Sequence, residues 1–212
     1  SRSQDAQKLD NHLGKVVRVT REGAPAPGNP FIGRAGALPE IWSLGHRNPQ
    51  GATIGPDGRL WMHEHGPQGG DEINRVLPGR NYGWPLVSRG QEYGTATAAG
   101  AASLSGMQEP AWVWERRDGE PWSGGAKSSI APAGMAFYTA DAIPAWKGSL
   151  LVGGLSGQSL VRLVLDGEKV VREERLLFGE VGRVRDVRVG PDGWVYLVND
   201  SPEGALWRVQ PR

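Results

Sequence analysis

Apolar and polar residues alternate in short runs along most of the chain, and the runs seldom exceed ten residues. KVVRVT (15–20), GATIG (51–55), RLWMHEH (59–65), GMAFYT (134–139), SLLVGGL (149–155), SLVRLVLD (159–166), KVVREERLLF (169–178), VRDVRVG (184–190), WVYLVND (194–200) and ALWRVQ (205–210) are rich in Val, Leu, Trp and Tyr. Period-two runs of this composition predict strands. Between them stand Pro-Asp-Gly at 56–58 and 191–193, Asp-Gly at 118–119 and 166–167, and Lys-Gly at 147–148, the residues of tight hairpins. No segment keeps helical periodicity over three turns, so the predicted class is all-β. The interval 88–106 is rich in small residues and weakly patterned, and reads as a long loop or insert.

One pattern recurs. Gly55-Pro56-Asp57-Gly58-Arg59-Leu60-Trp61 matches Gly190-Pro191-Asp192-Gly193-Trp194-Val195-Tyr196 at an offset of 135 residues. Three units of about 45 residues would span that offset, the length of a four-stranded propeller blade. A β-propeller is therefore the leading architecture, with a β-sandwich as the alternative. At that blade length, 212 residues make about four to five blades.

Composition narrows the function classes. Thirty-two glycines and sixteen prolines would suit disorder, but nine tryptophans do not. Twenty-four basic against twenty-three acidic side chains remove the electrostatic footprint of a nucleic-acid partner. No apolar run approaches the roughly 20 residues of a membrane helix, and there is no cysteine for disulfides or thiolate metal sites. The opening residues, SRSQDAQKLDNHLGK, lack the apolar core of a signal peptide, and the numbering is expected to begin inside a longer protein.

The candidate chemistry gathers between residues 45 and 85, where glycines and prolines fix loops that carry polar side chains. Arg47 and Asn48 open a proline-stiffened turn, and such an arginine can stabilise charge on an oxygen or grip a carboxylate. His63, Glu64 and His65 look like metal ligands. On a strand, however, the two histidines share one face and Glu64 takes the other, and the spacing is not that of a helical zinc motif. Their plain reading is hydrogen-bonded structural residues, with Arg47 a candidate partner for Glu64. The turn Gly66-Pro67-Gln68-Gly69-Gly70 can aim carbonyl oxygens at one point, as a hard cation such as calcium prefers. Asp71 and Glu72 follow side by side and would either coordinate an ion or brace the loop. Arg183 and Arg185, two apart on a strand, point to one face and face solvent unless an anion lies between them. Lys127 follows a glycine pair and carries little meaning alone.

Taken in order, HRNPQG (46–51), EHGPQGGDEIN (64–74) and GRNYGWP (79–85) resemble the soluble glucose/sorbosone dehydrogenase family. AQKLDNHLGKVVRV (6–19), AGMAFYTAD (133–141) and RVRDVRVGPDGWVYLVND (183–200) extend the likeness over nearly the whole chain, weakest over 88–106. The resemblance implies a six-bladed β-propeller in the parent protein, of which residues 1–212 form a partial propeller domain of about four blades. It implies pyrroloquinoline quinone (PQQ) and calcium as cofactors, an aldose sugar as substrate, an external electron acceptor, and a periplasmic or secreted location. By resemblance, the carbonyls of Gly66 and Pro67 hold the calcium beside the quinone, and Asp71, Glu72 and Tyr82 surround a further structural calcium. Lys127, Arg183 and Arg185 grip the quinone carboxylates, Arg47 stands beside its reactive carbonyl, and Asn48 neighbours the substrate.

The implied reaction oxidises the anomeric carbon of an aldose to a lactone. The family's histidine base lies upstream of the opening segment, and His12 matches a structural position instead. The chain alone is therefore expected to be inactive, and its unpaired sheet edges to make it self-associate. Two other readings stay open. A non-enzymatic propeller binding module would have no reason to keep Lys127, Arg183 and Arg185. A lactone-hydrolysing propeller would hold calcium mainly through side chains and lack the Arg47 motif.

Overall fold

A computed structural model describes residues 2–95, 97–114 and 129–210. Among them, thirteen strands form four antiparallel sheets. β1 (Lys15–Val17) and β2 (Ile41–Leu44) make a two-stranded sheet. β3 (Pro49–Ile54), β4 (Leu60–Glu64), β5 (Asp71–Arg75) and β6 (Trp112–Trp114) make a four-stranded one. β7 (Pro132–Phe137), β8 (Leu150–Gly154), β9 (Ser159–Asp166) and β10 (Lys169–Leu176) make the second four-stranded sheet. β11 (Val184–Val189), β12 (Val195–Asn199) and β13 (Leu206–Val209) make a sheet of three. Each is a meander of consecutive strands, and the first strands β3, β7 and β11 pack side by side. This is the arrangement of successive propeller blades. No helix among the described residues is long and apolar enough to cross a membrane.

The second blade shows why these strands are so apolar. On β8, Leu150 and Val152 face a core shared with Trp61, Ile73 and Trp114 of the preceding sheet. Leu151 faces the opposite way, into a core with Val184, Val187, Val195 and Leu197 of the following sheet. Alternation sends neighbours to opposite faces, and both faces of this blade are covered, so the strand is buried throughout and reads as a continuous apolar run. Each leucine or valine so enclosed contributes about 1.5–3 kcal/mol of burial. At the far end, β13 is an open edge with Leu206 and Trp207 exposed.

The repeated Gly-Pro-Asp-Gly turns are structurally equivalent. Each joins the first strand of a sheet to its second, with Gly55 and Gly190 N–H donating to the carbonyls of Arg59 and Trp194 at 2.8 Å. Asp57 and Asp192 accept the amides of Arg59 and Trp194 at 3.1 and 3.2 Å. The two copies are two sheets apart, not three. A 135-residue offset thus holds two longer units, because the stretch from β5 to β6 is extended and the intervening blade replaces the tight turn with a 3-10 turn at Pro144–Trp146.

The ten predicted strands all occur, but β2, β5 and β6 lay outside the prediction. β5 is instructive, since its residues, DEINR, are mostly polar. Burial of Asp71 and Asn74 inside a hydrogen-bonded network hides the strand from an apolar pattern. The interval 88–106 carries no strand among its described residues but is tied down by isolated bridges. Gln91 pairs with Gln68, Val87 with Ala101, and Gln91 with Ala98, so the segment folds back over the Gly66–Gly70 turn.

Candidate functional site

Three chain segments build the site: the turn after β2 that carries His46, Arg47 and Asn48; the end of β4 with the glycine-rich turn that follows; and the folded-back 88–101 segment. Glu64, the last residue of β4, ties the first two together. Its side chain is buried and accepts from Arg47 N–H at 2.6 Å, from Asn74 Nδ2 at 2.9 Å and from His46 Nδ1 at 3.0 Å. Burial alone would raise its carboxyl. The His46 ring and the amides of Arg47 and Asn48 outweigh that and hold it below the ordinary carboxylate value. The expected partner of Glu64 is thus correct as a residue, but the contact is made by the main chain of Arg47 and not by its guanidinium.

That guanidinium is held elsewhere. Nη1 donates to the His65 carbonyl at 3.0 Å and Nη2 to the Tyr93 hydroxyl at 3.2 Å, while the group lies 5.1 Å from the Trp84 ring centroid. Nε is buried with no acceptor among the described residues. Arg47 and Asn48 line an open cavity of about 430 Å³ together with Trp84 and the opening segment. Asn48 accepts from Gln50 Nε2 at 2.8 Å. Tyr93, 67% exposed, and Trp84 were missed from sequence. Tyr93 sits in the unpatterned interval, and only its fold-back brings it to Arg47.

Behind Arg47 lies a second, much smaller cavity of about 20 Å³, lined by Glu64, Gly66, Pro67, Glu72 and Tyr82 among others. It has room for one water molecule or one bare ion. The turn above it is packed backbone to backbone. A Cβ on Gly90 would meet the Gly69 carbonyl at 2.4 Å and Pro67 Cδ at 2.8 Å, so glycine there lets the 88–101 segment seal the turn. Glu72 points into this cavity with one donor, Asn74 Nδ2 at 3.2 Å. Burial, and then the nearby Glu64 charge, push its carboxyl up to about 8. Asn74 Oδ1 and Gln68 Oε1 are also buried without a donor among the described residues. No group of three or more His, Asp or Glu side chains among the described residues forms a ready metal centre. The lining of this cavity offers the Glu72 carboxylate, a ligand type that a hard cation accepts.

Asp71 and Glu72 face opposite ways, as adjacent strand residues do. Asp71 accepts from Gly66 N–H at 3.0 Å, Ala131 N–H at 2.9 Å and the Ser129 hydroxyl. Both its oxygens brace loops, and burial raises its carboxyl against those hydrogen bonds. The Tyr82 hydroxyl is spent as well, donating to the Arg75 carbonyl and accepting from Leu77 N–H at 2.9 Å. Burial pushes that phenol up to about 12, and its ring stacks on His46 at 4.5 Å.

The remaining residues separate clearly. Arg183 and Arg185 do share one face, and both reach the same Asp200 carboxylate at 3.0 Å. Their side chains are 46% and 47% exposed, and Arg185 lines a cavity at the inner strands that does not include Arg47. Lys127 lies outside the described residues. His65 Nε2 donates to the Pro132 carbonyl at 2.8 Å, as the structural reading expects. His63 departs from that reading, since both ring nitrogens lack a partner among the described residues. Its ring lies against the Cα of Gly51, where a Cβ would meet Nε2 at 2.5 Å. Burial, and then the nearby His65, push it down to about 4.

Fold and site together define a propeller-type protein with a clamped arginine beside a buried, oxygen-lined cavity. Residues 1–208 match the Glucose / Sorbosone dehydrogenase family, and the chain belongs to it. The aldose sugar dehydrogenase YliI of Escherichia coli (strain K12) is 41% identical over 210 residues, which are 98% of this chain and 53% of YliI. A crystal structure of a glucose dehydrogenase superposes with a TM-score of 0.90 at 45% identity, covering 100% of this chain and 59% of that one. The PQQ-bound aldose sugar dehydrogenase of Streptomyces coelicolor superposes with a TM-score of 0.70 at 31% identity, covering 97% of this chain and 53% of that one. The chain spans about half the length of the curated relatives it matches.

Proposed function

We propose that this chain is the arginine- and cation-bearing portion of a quinoprotein that oxidises the anomeric carbon of aldose sugars to lactones. The observation that carries the reading is the convergence of Arg47, Gly66, Pro67, Glu72 and Tyr82 on one ion-sized cavity. When bound, pyrroloquinoline quinone supplies the two-electron oxidising capacity. The Gly66, Pro67 and Tyr82 main-chain oxygens and the Glu72 carboxylate are suited to calcium. Arg47, with its unpaired Nε, is suited to an anionic oxygen of the quinone, and Asn48 to the sugar in the open cavity. Arg183 and Arg185 put two positive charges against the single carboxylate of Asp200, a surplus suited to the carboxylates of the same ligand. The family resemblance assigns Lys127 to that group. It also implies a periplasmic or secreted setting and an external electron acceptor.

Oxidation requires a group to take the sugar hydroxyl proton. The four histidines are otherwise engaged or buried: His12 with Glu40, His46 with Ser43 and Glu64, His65 with the Pro132 carbonyl, and His63 in the interior. We infer that the 212-residue stretch does not turn over by itself and that the longer protein supplies the base.

The deciding experiment reconstitutes the longer protein with pyrroloquinoline quinone and calcium chloride and follows dye reduction with glucose and other aldoses. Turnover is expected, and Arg47→Ala should lower it by about 10²–10³-fold, the scale of losing one charge-stabilising donor. Absence of turnover on every aldose would sink the reading.

A further inference from the structure

Arg47 is held at both ends by consecutive residues of one strand terminus. Its main-chain N–H is fixed by Glu64 Oε2 at 2.6 Å, and its guanidinium by the carbonyl of His65 at 3.0 Å. Glu64 is itself immobile, since β4 pairs it with Pro49 of β3 on one side and Glu72 of β5 on the other. Its carboxylate is also heavily engaged. A carboxylate offers about four acceptor positions, and the His46 ring, the Asn74 side-chain amide and the Arg47 main-chain N–H take three of them. The His46 ring is held in turn, by Ser43 Oγ at 2.8 Å from Nε2 and by the Tyr82 ring beneath it. With Nδ1–H donated to Glu64, Nε2 accepts the Ser43 hydroxyl. Among the described residues Glu72, in the same cavity, has a single donor, against three for Glu64.

We propose that Glu64 is the positioning residue of Arg47: it anchors the 46–48 turn to the end of β4 and so sets where the guanidinium stands. The proposal rests on the quinoprotein reading, which makes Arg47 the group that meets the cofactor, and it assigns Glu64 no direct contact with cofactor or cation. An amide in place of this carboxylate cannot accept from every donor now facing it, so at least one of the His46, Arg47 and Asn74 contacts is lost at unchanged volume. The turn then loosens, and Arg47 loses its preset orientation.

The test is a double-mutant cycle read on affinity for pyrroloquinoline quinone, titrated at fixed calcium chloride. Glu64→Gln should weaken binding by about tenfold or more, and Arg47→Ala by at least as much. In the Arg47→Ala background Glu64→Gln should add less than about twofold, because its effect passes through the missing arginine. Factors that multiply would overturn the proposal, since general damage or direct contact costs the same with or without Arg47. If Glu64→Gln fails to fold, Glu64→Asp keeps the charge but retracts it by one methylene, and the same cycle applies. If the longer protein with the unaltered sequence binds no quinone, the quinoprotein reading fails, and crystal structures decide the positioning claim separately. A guanidinium displaced from the His65 carbonyl and the Tyr93 hydroxyl in the Glu64 variant supports it. One that stays on both overturns it.

Discussion

Arg47 and the Arg183–Arg185 pair are proposed to meet the same anionic ligand, yet the fold builds them in opposite ways. Arg47 stands on a buried network in which Glu64 collects donors from three residues with resolved side-chain or main-chain contacts. Its guanidinium is aimed by a carbonyl, a phenol and a tryptophan face. Arg183 and Arg185 stand half exposed on the start of β11 and share one surface carboxylate. The first arrangement fixes geometry before any ligand arrives. The second supplies charge and leaves geometry adjustable, as suits groups that hold the rim of a ligand while another orients its reacting atoms.

The largest break in this contrast comes from Glu64→Ala. It strips an acceptor from His46, Arg47 and Asn74 inside the protein, and thermal or urea unfolding should show a loss of roughly 3–5 kcal/mol. A loss below about 1 kcal/mol would mean that the network is not structurally coupled.

Proton linkage separates Glu64's neighbours by sign. Glu72, at about 8 in the fold against an ordinary 4.5, contributes stability that is full below about 4.5 and lost as pH rises through about 8. His63, at about 4 against 6.5, contributes stability present above about 6.5 and lost as pH falls through about 4. Melting temperatures in chelator should therefore decline on the alkaline side, and Glu72→Gln should flatten that decline. Calcium chloride should flatten it too, by compensating the ionised carboxylate. An alkaline limb indifferent to both would remove Glu72 from the cation site.

Gly90→Ala forces a methyl group into the Gly69 carbonyl and Pro67. An overpacking cost of about 1–3 kcal/mol should appear chiefly as weaker calcium binding in calorimetry, with the blades intact. Unchanged affinity would show that the 88–101 segment does not shape the carbonyl turn. The smallest structural effect belongs to Arg183→Ala with Arg185→Ala, which should leave the melting temperature unchanged because exposed pairs add little. Quinone affinity should nonetheless fall, and an unaltered titration would refute their role as a clamp.

Much of this was legible in the chain. Period-two runs and Pro-Asp-Gly turns located ten strands, because a strand between two packed faces must be apolar and a tight hairpin must contain residues that tolerate its angles. The ordered motifs around Arg47 and Gly66–Pro67 pointed to the family. β5 escaped because its buried residues are polar and satisfied by one another. Tyr93 escaped because nothing in a run of small residues marks which aromatic will be carried across to an arginine 46 positions away.

By itself, then, the sequence determined the all-β class, the turn chemistry and the short list of groups able to hold a cation or an anion, since these follow from local backbone preference and side-chain chemistry. The tertiary structure decided how those groups divide their work. Asp71 and Glu72 are neighbours in sequence, yet one is consumed as a loop brace and the other is left short of donors in an ion-sized cavity. A carboxylate's role depends on how many donors reach it and how much water is excluded, and only the packed fold sets both.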